Sequence, residues 1–423
     1  MGYRALPGGP PYAAVWAWHM RIAFLVGDLF NVSGGSNVIV EYASGLERLG
    51  HEVVIVTGDR VDPRRGGWHP RLAGLRVVHL TEAGGSRFDF AFATWWITWF
   101  DLWRVDARVY GYFNQSLESR FHAERRLKLL NRITYSLPLL FVTEARWIAE
   151  LVEAVRPGAP VLQIRNGLSR EHFPRVKAPP IRGGPLRVLV EGPWDVPFKG
   201  VPETFRLLET AAPRVEMAVG WLTAGSCGVK PRIGGRPVAV HERIPIDRVR
   251  LAYQQYDVLV KLSRVEGMYG PPLEMFSQGG TAITTTVTGC DEYLVHGENG
   301  LLVQPYDVWR VPRYLEILQR SPDYLAHLRR GALATAEAWP AWEKPCAELA
   351  RRLAEVLASG YSNADLRPAI SAASSWRDQG HGTWPDPTVL GRMRGTRVWQ
   401  VGKRIVPAGI RRRIRAWLGR ASA

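Results

Sequence analysis

The sequence has few of the features that mark disulfide-stabilised, zinc-binding or membrane-spanning proteins. Among its 423 residues are three cysteines, Cys227, Cys290 and Cys346, with no CxxC pair or His cluster. This scarcity argues against a disulfide framework or a zinc site and is typical of a reducing compartment. The longest uncharged apolar run, Phe90 to Phe100, is well short of the ~20 residues that cross a bilayer. We therefore predict a cytoplasmic protein that is not an integral membrane protein.

Acidic residues are also scarce relative to basic ones. Lys plus Arg total 55 against 39 Asp plus Glu, a net charge of +16, which attracts polyanions such as nucleic acid, anionic lipid or nucleotide phosphates. Seven of the basic residues lie between Lys403 and Arg420, and no acid follows Val401. The same tail has an apolar helical stripe, Ile410, Ile414, Trp417 and Leu418. We predict that residues 401–423 form a basic amphipathic helix on an anionic membrane surface. Nucleic acid is less favoured because of the stripe, and a solvated terminal helix is the alternative.

Length and composition predict a multidomain globular protein. At roughly 150 residues per domain, the chain has room for two to three domains, and 46% hydrophobic with 22% charged residues is an ordinary globular mixture. Residues 1–19 have too short an apolar run for a signal peptide. We predict that they are a disordered extension, with Met20 as an alternative start of translation.

From Met20 onward, short apolar runs alternate with amphipathic ones, a pattern that predicts βαβ units and parallel sheets. The predicted strands are 21–26, 51–57, 75–80, 88–93, 108–113, 139–142, 186–191, 215–219, 237–241, 258–262, 281–284 and 300–303, and the predicted helices are 36–49, 202–211, 246–255 and 272–278. A linker rich in Pro and Gly at 174–185 separates two series. We predict two doubly wound α/β domains, at 20–180 and 181–360, followed by a loosely ordered connector at 361–400.

The first strand-to-helix turn has paired glycines, Gly34 and Gly35. Such glycines let a ligand approach the backbone, and the start of a helix favours an anion. The turn does not match GxGxxG. The alternative is a tight turn in which Ser36 is the N-cap.

A second motif, Glu266-Gly-Met-Tyr-Gly-Pro-Pro-Leu-Glu274, follows a predicted buried strand. Gly267 and Gly270 keep backbone amides accessible at the positive end of the next helix. The loop could therefore present N–H groups to a phosphate and its two carboxylates to polar groups such as a vicinal diol. The alternative is a solvent-facing loop glutamate and a second glutamate that the helix dipole favours.

With its neighbours included, this motif resembles the retaining family 4 glycosyltransferases, enzymes with the two-domain GT-B fold. The matching positions in the second half are Glu266, Glu274, Gly289, Glu292 and Asn299–Val303. Further matches are Gly34-Gly35, Gly50–Val54, Asn166-Gly167 with Phe173, and Lys199-Gly200. The resemblance covers about residues 20 to 358. The segment from Tyr112 to Phe121 is similar to a subgroup of bacterial rhamnosyltransferases of surface polysaccharides.

The resemblance implies a nucleoside diphosphate sugar as donor substrate, with no cofactor. It places Glu274 on the ribose, Lys199 on the diphosphate and Glu266 on a sugar hydroxyl, so that Glu266 and Lys199 are the candidate catalytic residues. Other candidate donor-binding residues are Gly267, Met268, Tyr269, Gly270, Gly34 and Gly35. The acceptor implied is a glycan or lipid-linked glycan at the inner face of the membrane.

Three departures from the family pattern bear on the donor. Many members have Gly-Arg ahead of the lysine, whereas the segment from Glu191 to Lys199 contains no arginine. The usual Glu-Gly-Phe-Gly is Glu-Gly-Met-Tyr-Gly here. Asn114 and Gln115 occupy the region where many members have a histidine, which leaves the donor sugar open.

Aromatic and acidic residues complete the set of candidates. Acceptor-side candidates are Asn114, Gln115, Glu118, Trp95 and Trp96. Trp95 opens an aromatic stretch whose other members, Trp96, Trp99, Phe100 and Trp103, have helical spacing; such a stripe either contacts a sugar or, more often, lies in the core. The sequence has no Asp-x-Asp pair, so we predict transfer without a metal. The alternatives to a transferase are a GT-B sugar-nucleotide epimerase and a nonenzymatic glycan- or nucleic-acid-binding protein.

Overall fold

Two parallel β-sheets organise the residues that this computed structural model describes, which are 19–27, 29, 33–58, 67–177 and 183–379. The predicted extension, apart from His19, and the predicted tail helix at 401–423 lie outside the described residues. Within the described ranges, no helix is both long and apolar enough to cross a membrane.

The first sheet has seven parallel strands in the order β3-β2-β1-β4-β5-β6-β7. Its strands are β1 Arg21–Val26, β2 Glu52–Thr57, β3 Arg76–His79, β4 Arg87–Ala93, β5 Asp106–Asn114, β6 Leu140–Thr143 and β7 Val161–Gln163. In β1, Ile22 and Phe24 pack into one apolar layer, whereas Ala23 and Leu25 pack into the layer on the opposite face. Because both faces are covered, the strands are continuous apolar runs rather than alternating ones.

In this part of the chain the described residues form four helices: α1 Gly34–Arg48, α2 Trp96–Trp99, α3 Arg125–Ile133 and α4 Arg146–Val155. Helix α1 begins before the predicted N-cap, Ser36. The side chain of Ser33 accepts the amide N–H of Ser36 at 3.1 Å, so Ser33 is the cap and the alternative we gave for this turn names the wrong serine. Gly34 and Gly35 therefore form the first turn of the helix.

The second sheet has six parallel strands in the order β12-β9-β8-β13-β14-β15, with a two-strand antiparallel ribbon, β10-β11, beside it. The strands are β8 Leu186–Glu191, β9 Met217–Thr223, β10 Arg232–Ile233, β11 Arg236–Pro237, β12 Ala239–Glu242, β13 Val258–Lys261, β14 Thr281–Thr285 and β15 Leu301–Val303. The helices that follow are α5 Val201–Ala211, α6 Ile246–Tyr253, α7 Gly270–Ser277, α8 Val311–Arg320, α9 Pro322–Ala338, α10 Glu343–Ala358 and α11 Arg367–Asp378. Two Rossmann-like parallel-sheet domains, the predicted fold class, are thus confirmed.

The last two helices pack on the first domain, which differs from the predicted division at 360. Cys346, Leu349 and Leu353 of α10 lie in the same apolar cluster as Ile22 and Phe24 of β1. Residues 361–379, predicted as part of a loosely ordered connector, are instead ordered against the first sheet. Asn363 accepts the N–H of Tyr110 at 2.7 Å, and Ile370 of α11 is fully buried. The prediction failed here because the apolar partners of α11 lie far away in the sequence; residues 380–400 lie outside the described part.

Candidate functional site

The carboxyl ends of strands from both sheets face one another where the two domains meet. Glu144, just after β6, accepts the N–H of Met268 at 2.9 Å, and Trp147 Nε1 donates to the carbonyl of Gly267 at 3.0 Å. In α/β proteins, ligands bind in the crevice beyond the carboxyl ends of parallel strands. The loop between β13 and α7 therefore lies where a ligand would reach both domains.

Lys199 and Glu266 form an ion pair at this position. Lys199 Nζ lies 2.9 Å from Glu266 Oε1 and 3.0 Å from Oε2. The lysine side chain is 23% exposed and that of the glutamate 10%. The structure thus brings together the two residues that we predicted as catalytic, 67 positions apart in the chain, and leaves the cation partly accessible.

A second lysine, which the sequence analysis did not single out, lies behind this pair. Lys261 is the last residue of β13 and its side chain is 1% exposed. Its Nζ forms a short ion pair with Glu191 Oε2 and lies 3.5 Å from Glu266 Oε1. The sequence did contain a sign of this residue, because Lys261 lies inside the apolar run Val258–Leu262 and buried lysines are rare unless they are paired with an acid.

The surrounding charges keep Glu266 and Lys261 ionised. Burial alone would raise the pKa of Glu266, but Lys199 and Lys261 outweigh it and hold the pKa at about 2. Burial would likewise lower the pKa of Lys261, but Glu191 and Glu266 outweigh it, and the pKa is raised. The site has two cations, Lys199 and Lys261, and two carboxylates, Glu191 and Glu266. If Lys199 turns to bind a phosphate, Glu266 therefore still has Lys261 as a cationic partner.

Glu274, on α7, is the other predicted carboxylate and lies within the same electrostatic neighbourhood. Its Oε2 accepts the hydroxyl of Tyr253 at 2.9 Å. Burial, with Glu191 nearby, raises its pKa to about 7. The side chain is partly accessible. It can therefore offer an oxygen to a polar ligand, and it changes charge near neutral pH.

Two glycines shape the backbone around the site. Gly200, directly after Lys199, has φ +67°, and a Cβ there would lie 2.3 Å from the carbonyl oxygen of Leu262. Gly289 has φ +85°, and a Cβ there would lie 1.9 Å from the carbonyl oxygen of Gly267. A side chain at either position would displace one of the loops that position the Lys199–Glu266 pair.

A stack of aromatic rings lies beside Lys199, whose Nζ is 5.6 Å from the centroid of the Phe198 ring. Phe198, the neighbour of Lys199, stacks on Phe121 of the first domain with ring centroids 4.8 Å apart. Phe121 in turn stacks on Trp95 at 5.7 Å. All three are half-buried. This aromatic stack places an apolar surface beside the cationic end of Lys199.

Part of the second domain matches a known family. Residues 205–315 match the family model described as Glycosyl transferases group 1. The matched segment contains Lys261, Glu266 and Glu274, whereas Lys199 lies just before it. No curated protein sequence matches the chain.

Several solved structures share the fold. HepE of Anabaena, solved with UDP and glucose, is similar with a TM-score of 0.64 and 14% identity, over 79% of this chain and 99% of HepE. Sucrose-phosphate synthase of Thermosynechococcus elongatus has a TM-score of 0.65 and 16% identity, over 81% of this chain and 100% of its own. WaaB, a lipopolysaccharide outer core galactosyltransferase, has a TM-score of 0.56 and 14% identity, over 77% and 98%. The chain has the GT-B fold, and its residues 205–315 are similar to the group 1 glycosyl transferases.

In this GT-B protein the loop predicted to bind the donor, residues 267–270, already makes several hydrogen bonds within the protein. The N–H of Met268 is bonded to Glu144, and the Tyr269 ring is fully buried with its hydroxyl donating to the carbonyl of Lys261 at 2.9 Å. The carbonyl of Gly267 accepts from Trp147, and Gly270 is the first residue of α7. Tyr269 therefore supports the site from beneath rather than lining it, and the N–H of Met268 is occupied by a carboxylate.

The first-domain glycines face the predicted acceptor region. Gly34 and Gly35 are exposed at the start of α1, and Gln115 Nε2 donates to the carbonyl of Gly35 at 3.2 Å. Gln115 thus lies at the cleft and connects the end of β5 to α1. These residues remain candidates for contacts with a ligand.

Other predicted acceptor residues are buried in the first domain. Asn114 is fully buried and donates to the hydroxyl of Tyr135 at 2.6 Å. Glu118 accepts the N–H of Trp96 at 2.7 Å and the hydroxyl of Tyr112 at 2.8 Å, and burial raises its pKa to about 8. The ring of Trp96 is buried, as are Trp99 and Phe100. These side chains build the domain and do not line the cleft, whereas Trp95 is half-buried and stacks on Phe121.

Glu292, part of the Gly-x-x-Glu turn, connects the domains. Its Oε1 accepts the N–H of Arg146 at 2.8 Å and its Oε2 pairs with Arg165 at 2.8 Å. The neighbouring Asp291 pairs with Arg146 at 3.0 Å. These contacts hold the second domain against α4 and the end of the first sheet.

Proposed function

We propose that the protein is a retaining glycosyltransferase of family 4 that transfers a sugar from a nucleoside diphosphate sugar to a glycan or lipid-linked glycan in surface polysaccharide synthesis. The observation that carries the proposal is the ion pair of Lys199 with Glu266, supported by Lys261, in a GT-B cleft beside the partly accessible Glu274.

Lys199 binds the diphosphate in this proposal. Its side chain is the more exposed member of the pair, so it can turn from Glu266 to an incoming anion while Lys261 stays with Glu266. Negative charge grows on the diphosphate as the bond from sugar to phosphate breaks, and a positioned cation stabilises that charge. Since the sequence has no Asp-x-Asp pair, we propose that transfer needs no metal.

Glu274 and Glu266 bind hydroxyl groups. An ionised carboxylate accepts strong charge-assisted hydrogen bonds from a vicinal diol. Glu274, whose pKa is about 7, is suited to the ribose in its ionised form, which predominates above that pH. The Tyr253 hydroxyl fixes one carboxylate oxygen of Glu274 at 2.9 Å. Glu266, held ionised by two lysines, accepts from a hydroxyl of the transferred sugar.

The choice of substrates rests on the relatives and on the resemblance in sequence. HepE was solved with UDP and glucose, so uridine donors are the first to test. WaaB acts on the lipopolysaccharide outer core, and the segment from Tyr112 to Phe121 is similar to rhamnosyltransferases of surface polysaccharides. An acceptor sugar has the stack of Trp95, Phe121 and Phe198 available for contact with its apolar face.

A location at the inner face of the membrane is part of the proposal. It rests on the sequence of residues 401–423, which lie outside the described residues. Seven basic residues there would attract anionic lipid and bring the enzyme to lipid-linked acceptors.

The test is incubation of the full chain with a panel of labelled nucleotide sugars, with and without glycan acceptors and with EDTA. We expect transfer to an acceptor that survives EDTA, and a product whose anomeric configuration, read by NMR, equals that of the donor. Epimer formation without acceptor would indicate an epimerase instead. Binding of no nucleotide sugar would indicate a nonenzymatic protein, and loss with EDTA that manganese restores would contradict the metal-free site.

A further inference from the structure

Three metal-ligating side chains converge away from the Lys199–Glu266 pair. Glu41 lies on α1, His69 precedes a short 3₁₀ turn at Pro70–Gly74, and His172 lies in the segment that joins the first domain to the second. Their side chains are 0%, 0% and 2% exposed. They come from distant parts of the sequence, so no spacing motif announces the cluster.

The atoms that face one another have no hydrogen-bond partner among the described residues. They are Glu41 Oε1, His69 Nε2 and His172 Nε2. His69 Nε2 lies 3.8 Å from Glu41 Oε1, and His172 Nε2 lies 3.9 Å from the same oxygen. All three atoms lie within 4.8 Å of one another. Leaving a buried polar group without a hydrogen bond is costly, so three such atoms that point at one place indicate an occupant.

The surroundings leave these atoms available. Arg71 pairs with the other oxygen of Glu41, Oε2, and also with Glu171 at 2.7 Å. Its guanidinium therefore orients the Glu41 carboxylate and leaves Oε1 directed at the histidines. The charged groups around the site are three carboxylates, Glu41, Glu171 and Glu343, and two guanidiniums, Arg71 and Arg48. Their formal sum is one negative charge, which favours a cation.

We propose that Glu41, His69 and His172 bind one divalent transition metal ion of the Zn²⁺ class. Two imidazoles and one carboxylate are a known zinc ligand set, with metal-to-ligand distances near 2.0–2.2 Å, and tetrahedral geometry then separates the ligand atoms by roughly 3.4 Å. The separations of 3.8 and 3.9 Å exceed this by about 0.5 Å, which small side-chain rotations can close. An adjoining cavity of about 30 Å³, lined by Asn37, Glu41, His172 and Glu274, has room for a water as fourth ligand.

One contact must change when the metal binds. His69 Nδ1 accepts the N–H of Arg71 at 3.2 Å, which places the proton of the neutral ring on Nε2. Ligation through Nε2 needs that lone pair, so the proton has to move to Nδ1 and the amide contact has to lengthen. We therefore expect metal binding to alter the turn at 69–71 as well as the cluster itself.

The ion would hold the joint between the domains. It ties α1 to the segment from Asn166 to Phe173, and the adjoining cavity is also lined by Glu274 of the second domain. We assign it a structural role, because its ligands join α1 to the segment between the domains and include neither Lys199 nor Glu266. The proposal does not rest on glycosyl transfer.

The test is metal analysis of the full chain, purified without a histidine tag and dialysed after zinc supply, with Co²⁺ as a spectroscopic probe. We expect about one equivalent of zinc per chain, a visible Co²⁺ band of tetrahedral type, and a rise in melting temperature with zinc. Glu41→Gln and His172→Gln should lose the metal. His327→Gln, which changes an exposed histidine, should keep it.

Two outcomes would overturn the proposal. Folded wild-type protein that binds neither zinc nor cobalt would show that the cluster holds a water. Equal zinc content in wild type and in both cluster variants would show adventitious binding elsewhere. Because wild-type metal content decides the first outcome, a variant that fails to fold does not prevent a result.

Discussion

Lys261→Met tests whether the buried lysine holds the candidate site together. Removing one partner of a buried ion pair costs about 3–5 kcal/mol because the other charge is left unpaired. Glu191 is 21% exposed and Glu266 retains Lys199 at 2.9 Å, so both carboxylates have some compensation. We therefore expect a loss near the low end, about 3 kcal/mol, in the free energy of unfolding, with the long apolar side chain of Met filling the space.

The assay is urea unfolding of Lys261→Met, Glu191→Gln and the double variant, followed by circular dichroism. Glu191→Gln removes the carboxylate that Lys261→Met leaves unpaired, so the double variant should lose less than the sum of the two single losses. A coupling of about 1 kcal/mol or more fits residues in one network. Strictly additive losses, or a loss below about 0.5 kcal/mol for Lys261→Met, would refute the reasoning.

We make three further predictions, which concern Glu274 in the site, the buried Glu118 and the tail at residues 401–423. Glu274→Gln should weaken donor binding by about 1.5–3 kcal/mol, roughly ten- to a hundredfold in Kd. The control Glu298→Gln, at an exposed glutamate, should leave the Kd unchanged. If folded Glu274→Gln binds the donor as tightly as the wild type in calorimetry, Glu274 is not part of the site. Burial raises the pKa of Glu118 from 4.5 to about 8, so between these pH values the folded protein keeps a proton that the unfolded chain releases, and the free energy of unfolding should fall as pH rises. Glu118→Gln should flatten this pH dependence, measured by urea unfolding at several pH values. An unchanged slope would contradict the raised pKa. Removal of residues 401–423 should preserve donor binding but abolish cosedimentation with anionic vesicles. Added salt should weaken the cosedimentation of the full chain. Undiminished sedimentation of the truncated protein, or a preference of the full chain for duplex DNA over lipid, would contradict the role of the tail.

Much of the fold could be predicted, because the pattern of apolar residues along each strand matches the burial of that strand in the folded protein. Strands such as Arg21–Val26 and Leu186–Glu191 are apolar on both faces, which only a covered parallel sheet explains. The helices α8, α9 and α10 were not predicted, although α10 has apolar residues at helical spacing. Its partner in the first domain is α1, where Cys346 lies against Glu41 and Gly45. Nothing local in the sequence identifies a contact over that separation.

The candidate site was predictable in its residues but not in its side-chain directions. Lys199, Glu266 and Glu274 were named from motifs, and the structure places Lys199 against Glu266. Asn114 and Glu118 were expected to face an acceptor, but tertiary packing directs both side chains into the domain. Lys261 was missed because a lysine inside a strand gives no indication of which carboxylates pair with it.

The most direct test of the account is calorimetric titration of the full chain and Lys199→Ala with UDP, dTDP, GDP and ADP. Lys230→Ala, the same substitution at an exposed lysine, is the control. We expect one nucleotide to bind the wild type and the control at a single site, and Lys199→Ala to bind it roughly ten- to a hundredfold more weakly through loss of charge-assisted contacts. Equal affinity of Lys199→Ala and wild type, or binding of none of the four nucleotides, would contradict the central claim.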